Sequence, residues 1–271
     1  MRIRRAATWA ATAAAVVAAT GTTAAYAGSG SPARHPHEDP KPTVVLVHGA
    51  FEDASAWSGV TARLQRDGYH VLAPAVPLRG MAGDSAAVSD VVWSIDGPVV
   101  LVGHSYAGLL ISQVAATTPN IKALVYANAF IPQAGETLQG VNAKFPGSLL
   151  GPDTITVVDH ADGPDVTIKP ASFRAVVAGD LPADKAAVAA AGQRPLTIAA
   201  MTELVRDAAP ASVPKYALVG SRDRAIAPAA ERWMAQRAGA EYRVVDSAHD
   251  MPVSHPAVVT AEIEKAARTS R

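Results

Sequence analysis

The chain has 271 residues, 49% of them hydrophobic and 18% charged, which is not the composition of a disordered, collagen-like or small disulfide-stapled protein. Basic and acidic residues balance at 24 each, so the electrostatic footprint of a nucleic-acid binder is missing. Cysteine is absent, which excludes disulfides, thiolate metal sites and thiol catalysis, and the length suits one large domain or two small ones.

The chain opens with Arg2, Arg4 and Arg5, then an Ala/Val-rich stretch from Ala6 to about Ala19, then Ala25-Tyr26-Ala27. A positive start, a short apolar run and a small-x-small site in that order read as a secretory signal peptide over residues 1–27, which predicts a secreted protein. Arg4-Arg5 leaves the Sec and twin-arginine routes both open. An uncleaved anchor is the alternative, and alanine is a weak residue for holding a bilayer. Residues 28–40, rich in Gly, Ser, Pro and His, read as a flexible lead-in. No later stretch is as long or as apolar, so no stable membrane insertion of the mature chain is expected.

From residue 41 onward, short apolar runs alternate with amphipathic segments. Thr43–Val47 is β-branched and continuously apolar, as a strand buried on both faces is. Asp53 then caps a helix with Ala54, Trp57, Val60 and Leu64 at helical spacing. His70–Ala73 reads as a second strand, and Val88, Val91, Val92 and Ile95 mark a second helix. Strands follow at Pro98–Val102, Ile121–Ala127, Tyr216–Val219 and Tyr242–Val245. The remaining helices run over Leu109–Ala116, about Ala229–Ala238 and His255–Arg268. This alternation predicts an α/β fold: a mostly parallel six-stranded sheet with helices on both faces. The stretch from about Gln133 to Ala211 breaks the rhythm. Within it, Thr154–Val158 and Val166–Ile168 flank Asp162-Gly163 as a hairpin would, and short Ala-rich helices follow. An insertion of that length predicts a small lid over one edge of the sheet.

Chemistry gathers where the third strand meets its helix, at Gly103-His104-Ser105-Tyr106-Ala107-Gly108. A strand–turn–helix here is a nucleophile elbow, which lifts a serine hydroxyl above the sheet beside a helix N-terminus. The pattern G-x-S-x-G is kept except that Ala107 holds its last position, with Gly108 one later. Ser105 needs a base. Of the eight histidines, His249 alone lies in a loop after the last strand, where the ligands of open parallel sheets bind. Asp223, after the fifth strand in Ser221-Arg222-Asp223-Arg224, is the candidate to hold the imidazole. Its alternative role is an ion pair with Arg222 or Arg224; Asp246 and Asp250 are nearer His249 only in sequence. The oxyanion is assigned to the N–H groups of Ala50, after Val47-His48-Gly49, and of Tyr106. Phe51, Leu78, Met81 and Phe130 are candidates to line a substrate pocket, with lid residues such as Phe145 or Leu204. No metal-ligand motif and no phosphate loop is present in the sequence.

With these residues in place, the chain resembles the α/β-hydrolase superfamily from Val44 to its C-terminus. Five segments carry the resemblance: Val45–Phe51, Gly103–Gly108, Leu124–Phe130, Ser221–Arg224 and Ala248-His249-Asp250-Met251-Pro252. They are most similar to small bacterial esterases and to the plant methylesterase and hydroxynitrile-lyase branch. The resemblance implies a Ser105–His249–Asp223 triad, a small-molecule ester substrate and no cofactor. The lyases of that branch typically carry a lysine after the catalytic histidine and a threonine further upstream. Here those positions are Asp250 and Gly49, which point away from cyanohydrin chemistry. Thioester or lactone hydrolysis, perhydrolysis and a non-catalytic binding role remain as alternatives, and oligomeric state is not readable.

Overall fold

The computed structural model describes residues 41–161 and 163–269. The expected leader and lead-in, and Asp162 of the expected hairpin turn, lie outside the described residues.

In chain order the elements begin with β1 (Thr43–Val47), a 3-10 turn (Ala54–Trp57) and α1 (Ser58–Arg66). Next come β2 (Val71–Leu72), α2 (Met81–Trp93), β3 (Val99–Ser105), α3 (Ala107–Thr117) and β4 (Ile121–Ala129). The middle of the chain forms α4 (Leu138–Asn142), β5 (Ile155–Val158), β6 (Asp165–Ile168), α5 (Pro170–Val176), α6 (Ala183–Ala191), β7 (Leu196–Thr197) and α7 (Ile198–Thr202). The chain then returns through β8 (Lys215–Gly220), α8 (Pro228–Arg237), β9 (Glu241–Val245), α9 (Met251–Ser254) and α10 (Pro256–Thr269).

Six strands form one parallel sheet in the order β2-β1-β3-β4-β8-β9. The two-residue period of a strand divides its side chains between two cores. Val44 and Leu46 of β1, Val100 and Val102 of β3, and Val125 and Ala127 of β4 pack with Trp57, Val60, Val259 and Ile263 from α10 and the α1 region. Val45, Val47, Leu101, Leu124 and Tyr126 face the other way, against Val88 and Val92 of α2, Leu110 and Val114 of α3 and Met234 of α8. Both faces are therefore covered, which is why these strands read as unbroken apolar runs. Asp53 accepts a hydrogen bond from the Ser55 N–H at 2.7 Å and starts the first helical turn.

The expected strand at His70–Ala73 shrinks to two residues at the edge, whereas β3 extends to Ser105 itself. Between β4 and β8 the chain builds a second, antiparallel sheet, β5-β6-β7. Its β5–β6 pair matches the expected hairpin, with Ile155 opposite Ile168. Strand β7 is unexpected from sequence: two residues carry no periodicity, and pairing with Val166 and Asp165 alone makes Leu196 and Thr197 a strand. An Arg79–Asp165 ion pair ties this sheet to the loop before α2.

Candidate active site

Ser105 ends β3 with φ of 53°, a left-handed conformation that costs a non-glycine residue on the order of 1–3 kcal/mol. The reversal it makes into α3 is possible because the neighbours are small. A β-carbon at Gly103 would stand 3.0 Å from the Ala107 carbonyl, and one at Gly108 only 2.0 Å from the Phe130 carbonyl oxygen. The strict glycine requirement therefore falls at position 108, where α3 crosses β4.

The three distant residues meet at the carboxyl ends of the strands. His249, in the loop after β9, places Nε2 2.9 Å from Ser105 Oγ. Its Nδ1 lies 2.6 Å from Asp223 Oδ2. Asp223, in the loop after β8, is held by two backbone donors: the N–H groups of Ala225 at 2.7 Å and Ile226 at 2.9 Å both reach Oδ1. Arg222, the alternative partner, pairs instead with Asp246 at 2.7 Å. All three side chains are buried.

Around the triad lies a shell that the motifs left unassigned. Asn128, at the end of β4 with φ of 42°, donates from Nδ2 to the carbonyls of Ala248 at 2.7 Å and His249 at 2.9 Å. His104 lies under His249, with ring centroids 4.8 Å apart. Its Nε2 is 3.0 Å from the His249 carbonyl and its Nδ1 is 2.9 Å from Glu52 Oε2. Burial opposes a charge on His104, but the Glu52 carboxylate outweighs it and raises the imidazole to about 9. In turn, burial works to raise Glu52, and the His104 charge brings it below the usual carboxylate range. Asp250 is held well above its ordinary range, first by burial and then by the charge of Glu52. His48 does structural work. Its Nε2 accepts the Val76 N–H at 2.9 Å, its Nδ1 meets the Gly49 carbonyl at 2.9 Å, and burial lowers its pKa. The sequence signal for this shell was polar residues inside apolar runs: Asn128 in Leu124–Phe130, and His104 in β3.

A cavity of about 20 Å3 opens beside Ser105 and His249, with Ala50 and Tyr106 in its wall. Phe51 and Phe130 line it, as expected. Leu78 and Met81 do not: both are buried in the core, Leu78 just before α2 and Met81 at its start, in a segment held by the Val76 N–H on His48 Nε2 and by the Thr197 N–H on the Leu78 carbonyl. Phe145 packs on Trp233 at 5.4 Å, and Leu204 is exposed. The rest of the wall comes largely from the segment between β4 and β8: Leu138, Leu150, Ile168, Val177, Leu196 and Met201. None of the lining residues carries a carboxylate, ammonium or guanidinium group. The phenol of Tyr106 points away to Asp84 at 2.8 Å, so burial and that carboxylate raise its pKa. Among the described residues no cluster of metal-ligating side chains occurs, and no helix is long and apolar enough to cross a membrane.

Known proteins resemble this chain in sequence or in fold. A carbendazim-hydrolyzing esterase of Nocardioides sp. (strain SG-4G) is 34% identical over 113 residues, 37% of this chain and 47% of that protein. The chain spans about half the length of the curated relatives it matches. The crystal structure of polyneuridine aldehyde esterase is 20% identical with a TM-score of 0.73, covering 83% of this chain and 98% of that one. Tomato methylketone synthase I, solved with 2-tridecanone, is 22% identical with a TM-score of 0.73, covering 85% and 99%. At such identities the likeness to these two structures is one of fold. The sequence profile of the alpha/beta hydrolase family matches residues 44–262, which takes in β1, the elbow at Ser105 and the loops of Asp223 and His249, and the chain belongs to that family.

Proposed function

We propose that the protein is a serine hydrolase that cleaves carboxylic esters through an acyl-enzyme. The observation that carries this reading is the unbroken line of contacts from Ser105 Oγ to His249 Nε2 at 2.9 Å and from His249 Nδ1 to Asp223 Oδ2 at 2.6 Å. His249 takes the Ser105 proton as Oγ attacks the ester carbonyl, and Asp223 stabilises the imidazolium that results. The N–H groups of Ala50 and Tyr106 receive the oxyanion. His249 then protonates the leaving alcohol, and afterwards it activates the water that releases the acid and restores Ser105.

The uncharged wall of the cavity favours neutral, apolar esters. Its volume of about 20 Å3 has room for little more than one water, so an acyl group enters as lining side chains turn aside. The matched portion of the carbendazim-hydrolyzing esterase supports an esterase reading. Cyanohydrin cleavage is disfavoured on two counts. Asp250 brings no cation to the site, and any β-carbon at Gly49 would stand 2.9 Å from Ser105 Cβ. The test is turnover of p-nitrophenyl esters of graded acyl length by wild type and Ser105→Ala. Loss of turnover in the variant is expected, and unchanged turnover overturns the proposal. A panel of thioesters, lactones and peracid-forming substrates distinguishes the other acyl chemistries.

Export as a secreted protein is part of the same proposal. It is supported by the Arg2-Ile3-Arg4-Arg5 start and the Ala25-Tyr26-Ala27 site. Mature protein in the culture medium should begin at Gly28 on N-terminal sequencing; an N-terminus at Met1 in membranes would overturn it.

A further inference from the structure

Glu231, an acid next to Asp223, has no part in the hydrolytic cycle described above. It lies in the first turn of α8, downstream of the loop that carries Asp223, and is only 2% exposed. Its carboxyl lies against that of Asp223, and neither of its oxygens has a hydrogen-bond partner among the described residues. Two facing carboxylates can only accept, so this approach is repulsive unless one of them carries a proton. Asp223 is the worse candidate for that proton. Its Oδ1 already receives the Ala225 and Ile226 N–H groups, and its Oδ2 receives His249 Nδ1. Three donors favour the charged form of Asp223, and roughly one of its four acceptor directions remains open.

We infer that Glu231 is a positioning residue: as a neutral carboxylic acid it donates its O–H to the Asp223 carboxylate, filling the last acceptor direction and fixing that carboxylate against His249. The inference rests on the triad reading above. The groups acting on Glu231 agree with this state. Burial raises its pKa well above the carboxylate range, the Asp223 charge raises it further, and the Gly220 N–H and Arg232 lower it to a lesser extent. The other charged group acting on Glu231 is Arg232, and His249 meets the far oxygen of Asp223.

The test compares Glu231→Gln with Glu231→Leu in the full chain. Glutamine presents an N–H donor and a carbonyl acceptor at every pH and so imitates the neutral acid, whereas leucine has similar bulk and neither group. Glu231→Leu should lower kcat by about tenfold or more with KM little changed, and Glu231→Gln should restore kcat to within about threefold. The infrared difference spectrum of wild type minus Glu231→Gln at neutral pH should show the C=O stretch of a protonated carboxylic acid. Equal kcat in the two variants would reduce Glu231 to packing, and a difference spectrum showing only carboxylate bands would overturn the inference outright. The spectrum needs no turnover and no leucine variant. It therefore decides the matter if Glu231→Leu does not fold, and it separates a failure here from a failure of the triad reading, which Ser105→Ala tests alone.

Discussion

Replacing Glu52 by glutamine removes the charge that keeps His104 protonated while leaving a side chain that can still meet its Nδ1. In the wild type the imidazole rises from 6.5 to about 9, against the opposition of burial, because the carboxylate lies 2.9 Å away. A raised basic group contributes stability that is fully present below its unfolded pKa and is lost as pH climbs through the folded one. The window here is from 6.5 to about 9. At about 1.4 kcal/mol per pH unit, the contribution that disappears across it is on the order of 3 kcal/mol. In Glu52→Gln, burial still opposes the charge on His104 and only the weaker pull of Asp250 and the His249 carbonyl remains to favour it, so the imidazole pKa falls back and most of this linkage is lost. Urea unfolding of both proteins at several pH values from 6 to 10, at constant ionic strength, measures the difference. Wild type should exceed the variant most near pH 6, and the gap should narrow steadily towards pH 9. A gap that stays constant over that range would show that the His104–Glu52 pair does not exchange a proton on unfolding and would refute the reasoning.

Three further variants probe the site. Gly108→Ala puts a methyl carbon 2.0 Å from the Phe130 carbonyl oxygen, a backbone atom that cannot turn aside, so α3 and the Ser105 turn must shift. A lower melting temperature together with reduced kcat is expected, and a variant with wild-type melting would contradict the close approach. Tyr106→Phe removes the hydroxyl that donates to buried Asp84 at 2.8 Å, with an expected cost of about 1–3 kcal/mol in urea unfolding. Asp223→Asn leaves His249 Nδ1 facing an amide in place of a carboxylate 2.6 Å away, and by the general behaviour of such triads kcat should fall by about 10^4-fold with the fold intact by circular dichroism.

The parts of this molecule that were legible in sequence are those whose physics is local. A strand buried on both faces must be apolar at consecutive positions, so β1, β3 and β4 announced themselves. A serine on a strand-to-helix reversal needs small neighbours, so Ser105 stood out, and parallel topology brings every strand end to one rim, which singled out Asp223 and His249. Contacts with no local signature were hidden. Glu52 and His104 are 52 residues apart, and neither position hints at the other. Leu78 and Met81 follow an edge strand of only two residues, and where that loop folds depends on core packing that periodicity does not report. Glu231 falls in a helix whose other charged residues, Arg232 and Arg237, are partly exposed, so an inward-facing acid in its first turn reads like any solvated one.

The hidden residues share a logic that the three visible ones lack by themselves. An imidazolium formed at His249 in a low-dielectric site feels every charge nearby, and a second free carboxylate would compete with Asp223 for the proton and for orientation. Other ionisable groups crowd the same region, among them Glu52, His104, Glu231 and Asp250. Glu52 and His104 cancel as an ion pair, and burial together with neighbouring carboxylates favours the neutral forms of Glu231 and Asp250. Asp223 is then left as the uncompensated anion facing the imidazole, and Asn128 and His104 hold the His249 backbone so that its ring keeps both contacts. The arrangement also has a cost with a definite sign. His104, Glu231 and Asp250 each bind protons more tightly folded than unfolded, so each contribution to stability declines as pH rises above the ordinary range of its group. Unfolding free energy should therefore fall towards alkaline pH, each of the three buried groups adding to the decline.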